Sequence, residues 1–256
     1  MVVKTIEDVR PTGISSKYVN APYDTGRAQL DSEGYPEITL AINAKLRRQQ
    51  GKDSFISKNG NWTAEDFVYD KKRGIYLSKV SIISENPKLA TDAHRANEDF
   101  YLTKEQVERV LANAVRIPSN QKPIPTKRFG DNRITIYAFG TTDGKDKRQD
   151  EKDAREYGLF LHEAGIKAMP IVLAGVGDKP YARKSWFRSL GYESGLLGLN
   201  RSLSYYHAVR GVRIGAVAEG DVRANLYGLA QIRTALESVG VTGQTRGLVE
   251  KALSQN

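Results

Sequence analysis

The chain has 256 residues and no cysteine. That absence excludes disulfides, thiol nucleophiles and cysteine-based zinc or iron–sulfur sites. No apolar run approaches the ~20 residues that a membrane-spanning helix needs, so we expect no membrane partner. The N-terminus lacks a continuous apolar segment of the kind found in secretory signals. These absences favour a cytoplasmic location.

Several familiar catalytic motifs are also missing. The three histidines are widely separated, and none belongs to an H-E-x-x-H pair, so we expect them on helix surfaces or in packing contacts. No G-x-S-x-G elbow occurs, which leaves a hydrolase-type serine without support. A catalytic lysine carries no recognisable motif. The sequence therefore leaves open whether the protein is an enzyme.

The charge balance is strongly positive, with 39 basic and 30 acidic residues and a net charge of +9. A basic surface attracts polyanions because binding releases their condensed counterions. The excess is concentrated twice: residues 45–79 carry nine basic and four acidic side chains, and residues 183–233 carry eight and three. This pattern predicts nucleic acid or another polyanion as a partner. The alternative is a basic surface that serves solubility alone.

The N-terminal half is expected to contain three segments. Residues 1–36 are rich in Gly, Pro, Ser and Asp without periodicity, which predicts an extended arm through which a homo-oligomer could assemble. Residues 37–116 are expected to form a small α+β part. It begins with a strand at 37–46 and continues as an antiparallel meander to about residue 83, with a basic turn at 70–74. "NWTAED" could equally open a short helix there.

The clearest helix signal is "LTKEQVERVLANAV". Apolar residues recur at helical spacing, and Thr103 with Gln106 forms a capping box that satisfies two backbone donors. Residues 117–128 then contain three prolines, which fix φ and lack a donor. We expect this stretch to be extended and to act as a linker between domains.

Residues 129–256 show alternating strand and helix patterns. The expected elements are strand 133–139, helix 148–164, strand 166–175, a glycine-broken helical stretch 185–209, strand 212–218 and a helix from 221 to 239. Three strand–helix units in succession predict a Rossmann-like three-layer domain with a short parallel sheet. The expected fold class is therefore α/β.

Ligands of such sheets bind beyond the carboxyl ends of the strands. The loops "GTTDGKDK" and "GVGDKPYARKS" offer glycines and lysines there, and the candidate phosphate-binding residues are Gly140, Lys145, Gly177 and Lys179. Neither a Walker A loop nor a G-x-G-x-x-G pattern is present. We therefore expect a plain turn at 140–147, with phosphate binding as an alternative.

Acidic residues also fall near these strand ends. The candidate ligands of a tentative Mg²⁺ site are Asp143, Asp178, Glu219 and Asp221. Carboxylates gathered at one sheet edge could hold Mg²⁺ and position a phosphodiester. Aspartate is equally a favoured turn and cap residue, so both interpretations stay open.

Cations and aromatic rings alternate in "KPYARKSWFRSLGYE" and "NRSLSYYHAVRGVR". The candidate nucleic-acid contacts are Arg183, Lys184, Arg188, Arg201, Arg210 and Arg213, with Lys71, Lys72 and Arg73 in the basic turn. Cations that bind phosphates beside rings that stack on bases are typical of single-strand grooves. For the aromatics themselves we favour a place in the core.

The leading hypothesis is a basic nucleic-acid-binding α/β protein, with metal-dependent phosphodiester cleavage as an option. The first alternative is a structural subunit of a larger nucleoprotein or virion-like particle, assembled through the N-terminal arm. A further alternative is an enzyme that binds a small nucleotide, which rests on fold analogy alone.

Overall fold

The computed structural model describes residues 4–9, 14–192, 194–198, 202–205 and 207–214. The chain divides into a larger unit, residues 1–7 and 16–212, and a smaller unit, residues 8–15 and 213–256. Only six residues of the smaller unit are described: 8–9, 14–15 and 213–214. All other described residues belong to the larger unit.

The helices of the described part are mostly short. They are α1 Tyr23–Ser32, α2 Leu40–Gln50, α3 Phe55–Lys58, α4 Ile82–Glu85, α5 Pro87–Arg95, α6 Lys104–Leu111, α7 Arg133–Phe139 and α8 Lys147–Glu163. Two 3₁₀ turns lie at Thr126–Asp131 and Leu190–Tyr192.

The strands are β1 Lys4–Val9, β2 Ile14–Ala21, β3 Asn61–Asp70, β4 Gly74–Ser78, β5 Phe100–Tyr101, β6 Ala114–Ile117, β7 Ile124–Pro125, β8 Ala168–Met169, β9 Ile171–Val172, β10 Tyr181–Phe187, β11 Leu196–Leu197 and β12 His207–Ile214. In the described residues, ten of them form one sheet, with the order β1-β2-β12-β3-β10-β11-β9 and with β4, β5 and β6 paired to its side. The sheet is mixed: β3 is antiparallel to β4 and β10, whereas β12 is parallel to β3 and β9 to β11. The α/β class is confirmed at this level.

The centre of the sheet is covered on both faces. Phe67 and Tyr69 of β3 belong to one apolar cluster, whereas Trp62 and Val68 belong to the other. Successive side chains of a strand point to opposite faces, so β3 contributes to two cores at once. This burial leaves little solvent-exposed surface on β3 and on its partner β10.

Three predictions from local sequence are confirmed. The β3–β4 hairpin forms around residues 71–73, where the Asp70 carboxylate accepts hydrogen bonds from the backbone N–H groups of Lys72 and Arg73. Both hydrogen bonds of the Thr103 capping box are present at α6, although this helix ends at Leu111. Helix α8 begins one residue before the expected start.

Two predicted strands are helices instead. Residues 37–46 enter α2, whose first turn is capped by Thr39 and by Glu65, which accepts a hydrogen bond from the Leu40 N–H. Residues 133–139 form α7, capped by the Asn132 side chain. In both cases β-branched residues favour a strand locally, but capping and tertiary burial stabilise the helix.

The predicted Rossmann-like unit is therefore wrong in the described residues. Its first strand is α7, and residues 166–175 hold only the two-residue strands β8 and β9. The stretch 185–209 was expected to be helical but contains the end of β10, a 3₁₀ turn and β11. β12 reaches Ile214, and the helix expected from 221 lies outside the described residues.

The expected arm and linker also differ from the structure. Residues 16–36 contain most of β2 and all of α1, with Val19, Tyr23 and Leu30 fully buried, so they are not an extended arm. The proline-rich residues 117–128 are extended only in part: the Gln121 N–H donates to the Pro118 carbonyl at 3.0 Å across a turn at 119–120, and a 3₁₀ turn begins at Thr126. Both of their flanks belong to the larger unit, so they do not separate two domains.

Candidate nucleic-acid interface

Lys184, a predicted phosphate contact, is fully buried. It lies directly opposite Asp66 in the β3–β10 pair, and its Nζ is 3.2 Å from an Asp66 oxygen and 3.2 Å from a Glu37 oxygen. The amine also donates to the hydroxyls of Ser81 at 2.9 Å and Ser84 at 2.6 Å. We call these five residues the Lys184 cluster. Three of the four partners are buried, Ser84 is half-buried, and Lys184 itself is fully buried, so it is not a surface contact.

Burial is the main influence on the pKa values of two neighbouring carboxyl groups of β3, Asp66 and Glu65. Burial raises the pKa of the Asp66 carboxyl, and the charge of Lys184 opposes the rise. On the other face of β3, burial raises the pKa of Glu65 to about 7, against the hydrogen bond that it accepts from Leu40. Removal of Lys184 would therefore leave the Asp66 carboxylate charged in an apolar environment. Loss of one partner of a buried ion pair is strongly destabilising for this reason.

Two further predicted contacts are also internal. Arg183 is buried and forms an ion pair with Asp99 at 2.8 Å. Arg210 is 1% exposed, and its guanidinium donates to Ser16 at 3.0 Å. The prediction that these arginines form a surface patch is wrong, because β10 and β12 are central strands.

The remaining members of that set lie in different environments. Arg188 is half-buried and Arg213 is exposed, whereas Arg201 lies outside the described residues. In the β3–β4 turn, Lys71 and Lys72 are exposed, and Lys71 pairs with Asp178 at 2.7 Å. Arg73 pairs with Glu108. The turn and Arg213 are thus the parts of the predicted interface that the structure leaves at the surface.

The backbone donors of the loop after α7 already bind an anion of the protein itself, the Asp150 carboxylate of α8. One oxygen of the Asp150 carboxylate accepts from the Thr142 N–H and the other from the Gly144 N–H, both at 2.8 Å. A Cβ at Gly140 would lie 2.5 Å from the Asp150 side chain, so this glycine permits the close approach. The backbone donors that a phosphate would need are occupied. The plain turn that we expected at 140–147 agrees with this geometry, and Lys145 is an exposed residue of it.

The second candidate phosphate loop, which contains Gly177 and Lys179, is followed by a strand. After Gly177 the chain enters β10 and not a helix, so the N-terminal helix donors of a phosphate site are missing from this loop. The Lys179 amine lies 5.6 Å from the centre of the Tyr101 ring.

The candidate metal ligands are separated. Asp143 pairs with Lys79 at 2.7 Å, whereas Asp178 pairs with Lys71, and these two lysines flank opposite ends of the five-residue β4. Glu219 and Asp221 lie outside the described residues. Within the part of the chain that is described, no group of three or more acidic or histidine side chains is placed to hold a metal ion.

An exposed basic segment was missed by the sequence reasoning. Residues 116–133 carry five basic side chains and one acidic side chain, Asp131. We call the five, all exposed, the 116–133 surface: Arg116, Lys122, Lys127, Arg128 and Arg133. None of them forms an ion pair with an acidic residue in the described ranges. The signal was present in the sequence, but the prolines there were interpreted only as a linker.

Four of these five cations border two adjoining hollows. Arg116 and Arg133 line a groove of about 950 Å³, together with Lys71 of the β3–β4 turn. Lys122 and Arg128 line a neighbouring hollow of about 330 Å³. Gln121 and Asn132 line both, so the two hollows adjoin. Pro118 and Val176, which is 47% exposed, add apolar surface to the groove.

No family model matches the sequence, and no curated protein matches it either. The fold is similar to a solved structure described as the accommodation of massive sequence variation in Nanoarchaeota by the C-type lectin fold. The TM-score is 0.58 at 17% identity, covering 81% of this chain and 100% of that chain. At this identity the likeness concerns the fold alone. In the described residues, no helix is both long and apolar enough to cross a membrane.

Proposed function

We propose that this protein binds nucleic acid through the 116–133 surface. The observation that carries the proposal is the set of exposed cations without acidic partners in the described chain, four of which line two adjoining hollows. Phosphate backbones bind such cations because each contact releases condensed counterions. Three of the five are arginines, whose planar guanidinium can bind a phosphate with two hydrogen bonds.

The groove also offers groups for the rest of a nucleotide. The Asn120 amide, the Gln121 Oε1 and the Asn132 Nδ2 can bind sugar and base edges. The Asn132 Oδ1 already caps α7, and the Gln121 Nε2 already donates to the Lys122 carbonyl. Pro118 and Val176 provide apolar surface for the faces of bases. Phosphate contacts would supply the affinity, while the amides and the apolar surface would favour particular nucleotides.

Two other hypotheses receive less support. Cleavage by a bound metal loses its basis at Asp143 and Asp178, because each carboxylate is already paired with a different lysine. Assembly through an N-terminal arm loses its premise, because residues 16–36 belong to β2, α1 and the segment that follows within the larger unit. We therefore propose binding without cleavage.

The experiment is a salt series with fluorescent single-stranded and double-stranded oligonucleotides, read by anisotropy. The variant Arg116→Ala/Arg128→Ala/Arg133→Ala should flatten the slope of log affinity against log salt by about 2–3, at roughly 0.7–0.9 per phosphate contact. The matched control Lys52→Ala/Lys88→Ala/Lys104→Ala removes the same charge from exposed residues outside the groove. Equal slopes for the two variants, or no binding by the wild type, would refute the proposal.

A further inference from the structure

A second cavity shares Arg133 with the groove. Its volume is about 740 Å³. It is bordered by the two residues that follow β4, by the start of β6, by α7 and by the start of α8. Its apolar wall consists of half-buried side chains: Val80, Ala114, Ile136 and Tyr137. Cavities of this size with mostly apolar walls and a few polar groups are typical of sites for small molecules.

The aromatic wall is held in place before any ligand arrives. The Tyr137 hydroxyl accepts a hydrogen bond from the Lys79 N–H at 2.8 Å, and it donates to the backbone carbonyl of Asn113. Both polar functions of the hydroxyl are therefore occupied by the protein. The ring contributes an apolar face, and the hydroxyl is not available as a ligand contact.

The charges around the cavity do not balance. Asp143 is paired with Lys79, and both Asp150 oxygens accept hydrogen bonds from the loop. Lys147 is only loosely associated with Glu151, at 3.7 Å in an exposed pair. Arg133 makes no ion pair or side-chain hydrogen bond with any residue that the structure describes. The charge left to face a ligand is therefore positive.

We propose that this cavity binds a small amphipathic anion, a molecule with an aromatic or branched apolar body and one carboxylate, sulfonate or phosphate group. The apolar body would lie against Ala114, Ile136 and the Tyr137 ring. The anionic group would lie between Arg133 and Lys147 at the mouth. This site is separate from the proposed nucleic-acid surface, with which it shares Arg133 alone.

The test uses two fluorescent probes of similar shape and different charge. Anilinonaphthalene sulfonate carries an anion, whereas N-phenyl-1-naphthylamine is neutral. We expect both to bind the wild-type protein saturably at one site, the anionic probe more tightly. The variant Ala114→Phe fills the apolar end, so it should weaken both probes at least tenfold.

The charge variant Arg133→Gln/Lys147→Gln should weaken the anionic probe about tenfold, as the combined effect of two solvent-screened charges, and leave the neutral probe within twofold. The control Lys88→Gln/Lys152→Gln removes two exposed charges that do not line the cavity and should change neither probe. Thermal unfolding establishes that each variant is folded.

Three results would overturn the proposal. They are the absence of saturable binding to the wild type, equal loss of both probes in the charge variant, and wild-type affinity in the charge variant. If Ala114→Phe does not fold, the charge variant still decides, because its side chains are exposed. The oligonucleotide salt series is read separately, so failure of this site and failure of the nucleic-acid proposal can be told apart.

Discussion

The Lys184 cluster and the 116–133 surface use the same kind of residue in opposite ways. Lys184 is fully buried and has two carboxylates and two hydroxyls around its amine. Arg133 is exposed and has no ion-pair partner in the described ranges. The fold supplies ion-pair and hydrogen-bond partners for the Lys184 amine, whereas the Arg133 guanidinium can interact with a ligand.

The difference shows why charge density along a sequence is a poor guide to a binding surface. Residues 183–213 carry six basic side chains and one acidic side chain, and residues 116–133 carry five and one, yet the first segment supplies central strands of the sheet. Burial of a charge requires partners from distant segments, and those partners, Glu37 and Asp66, lie more than 100 residues away in the chain. Variants of the Lys184 cluster should therefore change stability, whereas variants of the 116–133 surface should change binding.

The largest change in the free energy of unfolding is expected for Lys184→Met. It leaves Asp66 and Glu37 buried without their cation, and loss of one partner of a buried pair costs about 3–5 kcal/mol. The free energy of unfolding from urea titration should fall by that amount. Adding Asp66→Asn to this variant should restore part of the loss, because it removes one of the two stranded charges. A loss below about 1 kcal/mol would show that water reaches the cluster.

The free energy of unfolding should depend on pH through the titration of Glu65. Its pKa is raised to about 7 in the folded protein, against about 4.3 in an unfolded chain. The folded state therefore binds this proton more tightly, and stability falls as the pH rises from about 4.3 to about 7. Glu65→Gln removes the titration and should gain up to roughly 3 kcal/mol relative to wild type between pH 4.5 and pH 8. The exposed control Glu98→Gln should show no such gain.

A smaller effect is expected for Asp150→Asn. An amide keeps one acceptor oxygen, so one of the two backbone donors at Thr142 and Gly144 loses its partner. We expect a loss of about 1–3 kcal/mol in the free energy of unfolding. The neighbouring control Glu151→Gln should be close to neutral. If added phosphate stabilises Asp150→Asn much more than wild type, the vacated donors do bind anions.

The sequence contained the information for some of these elements and not for others. The capping box at Thr103 and the glycine after α8 act over a few residues, so α6 and α8 could be predicted from the local pattern. The turn at 71–73 is local as well, because Asp70 caps its own hairpin.

Elements that depend on distant partners could not be predicted in this way. The strand-like "RITIYAF" becomes α7 because Asn132 caps it and because Ile134, Ala138 and Phe139 pack into the core. The Asn132 cap was a usable signal, but the β-branched run outweighed it. Nothing local distinguishes Lys184 from an exposed lysine, since its burial follows from the central position of β10.

The smallest change in stability is expected for Lys71→Ala. Its pair with Asp178 is exposed on both sides and is worth less than about 1 kcal/mol. Because Lys71 lines the groove, the salt slope for oligonucleotide binding should nevertheless fall by about 0.7–0.9. The exposed control Lys88→Ala should leave the slope unchanged. An unchanged slope for Lys71→Ala would show that Lys71 makes no phosphate contact in the groove.

The measurement that tests the central comparison is the salt slope of two variants under conditions where both are folded. Lys184→Met, kept at low temperature and checked by circular dichroism, should bind oligonucleotide with the wild-type slope despite its lower stability. Arg116→Ala/Arg128→Ala/Arg133→Ala should lose about 2–3 from the slope while its melting temperature stays near that of the wild type. A lower slope in Lys184→Met together with an unchanged slope in the triple variant would contradict the account.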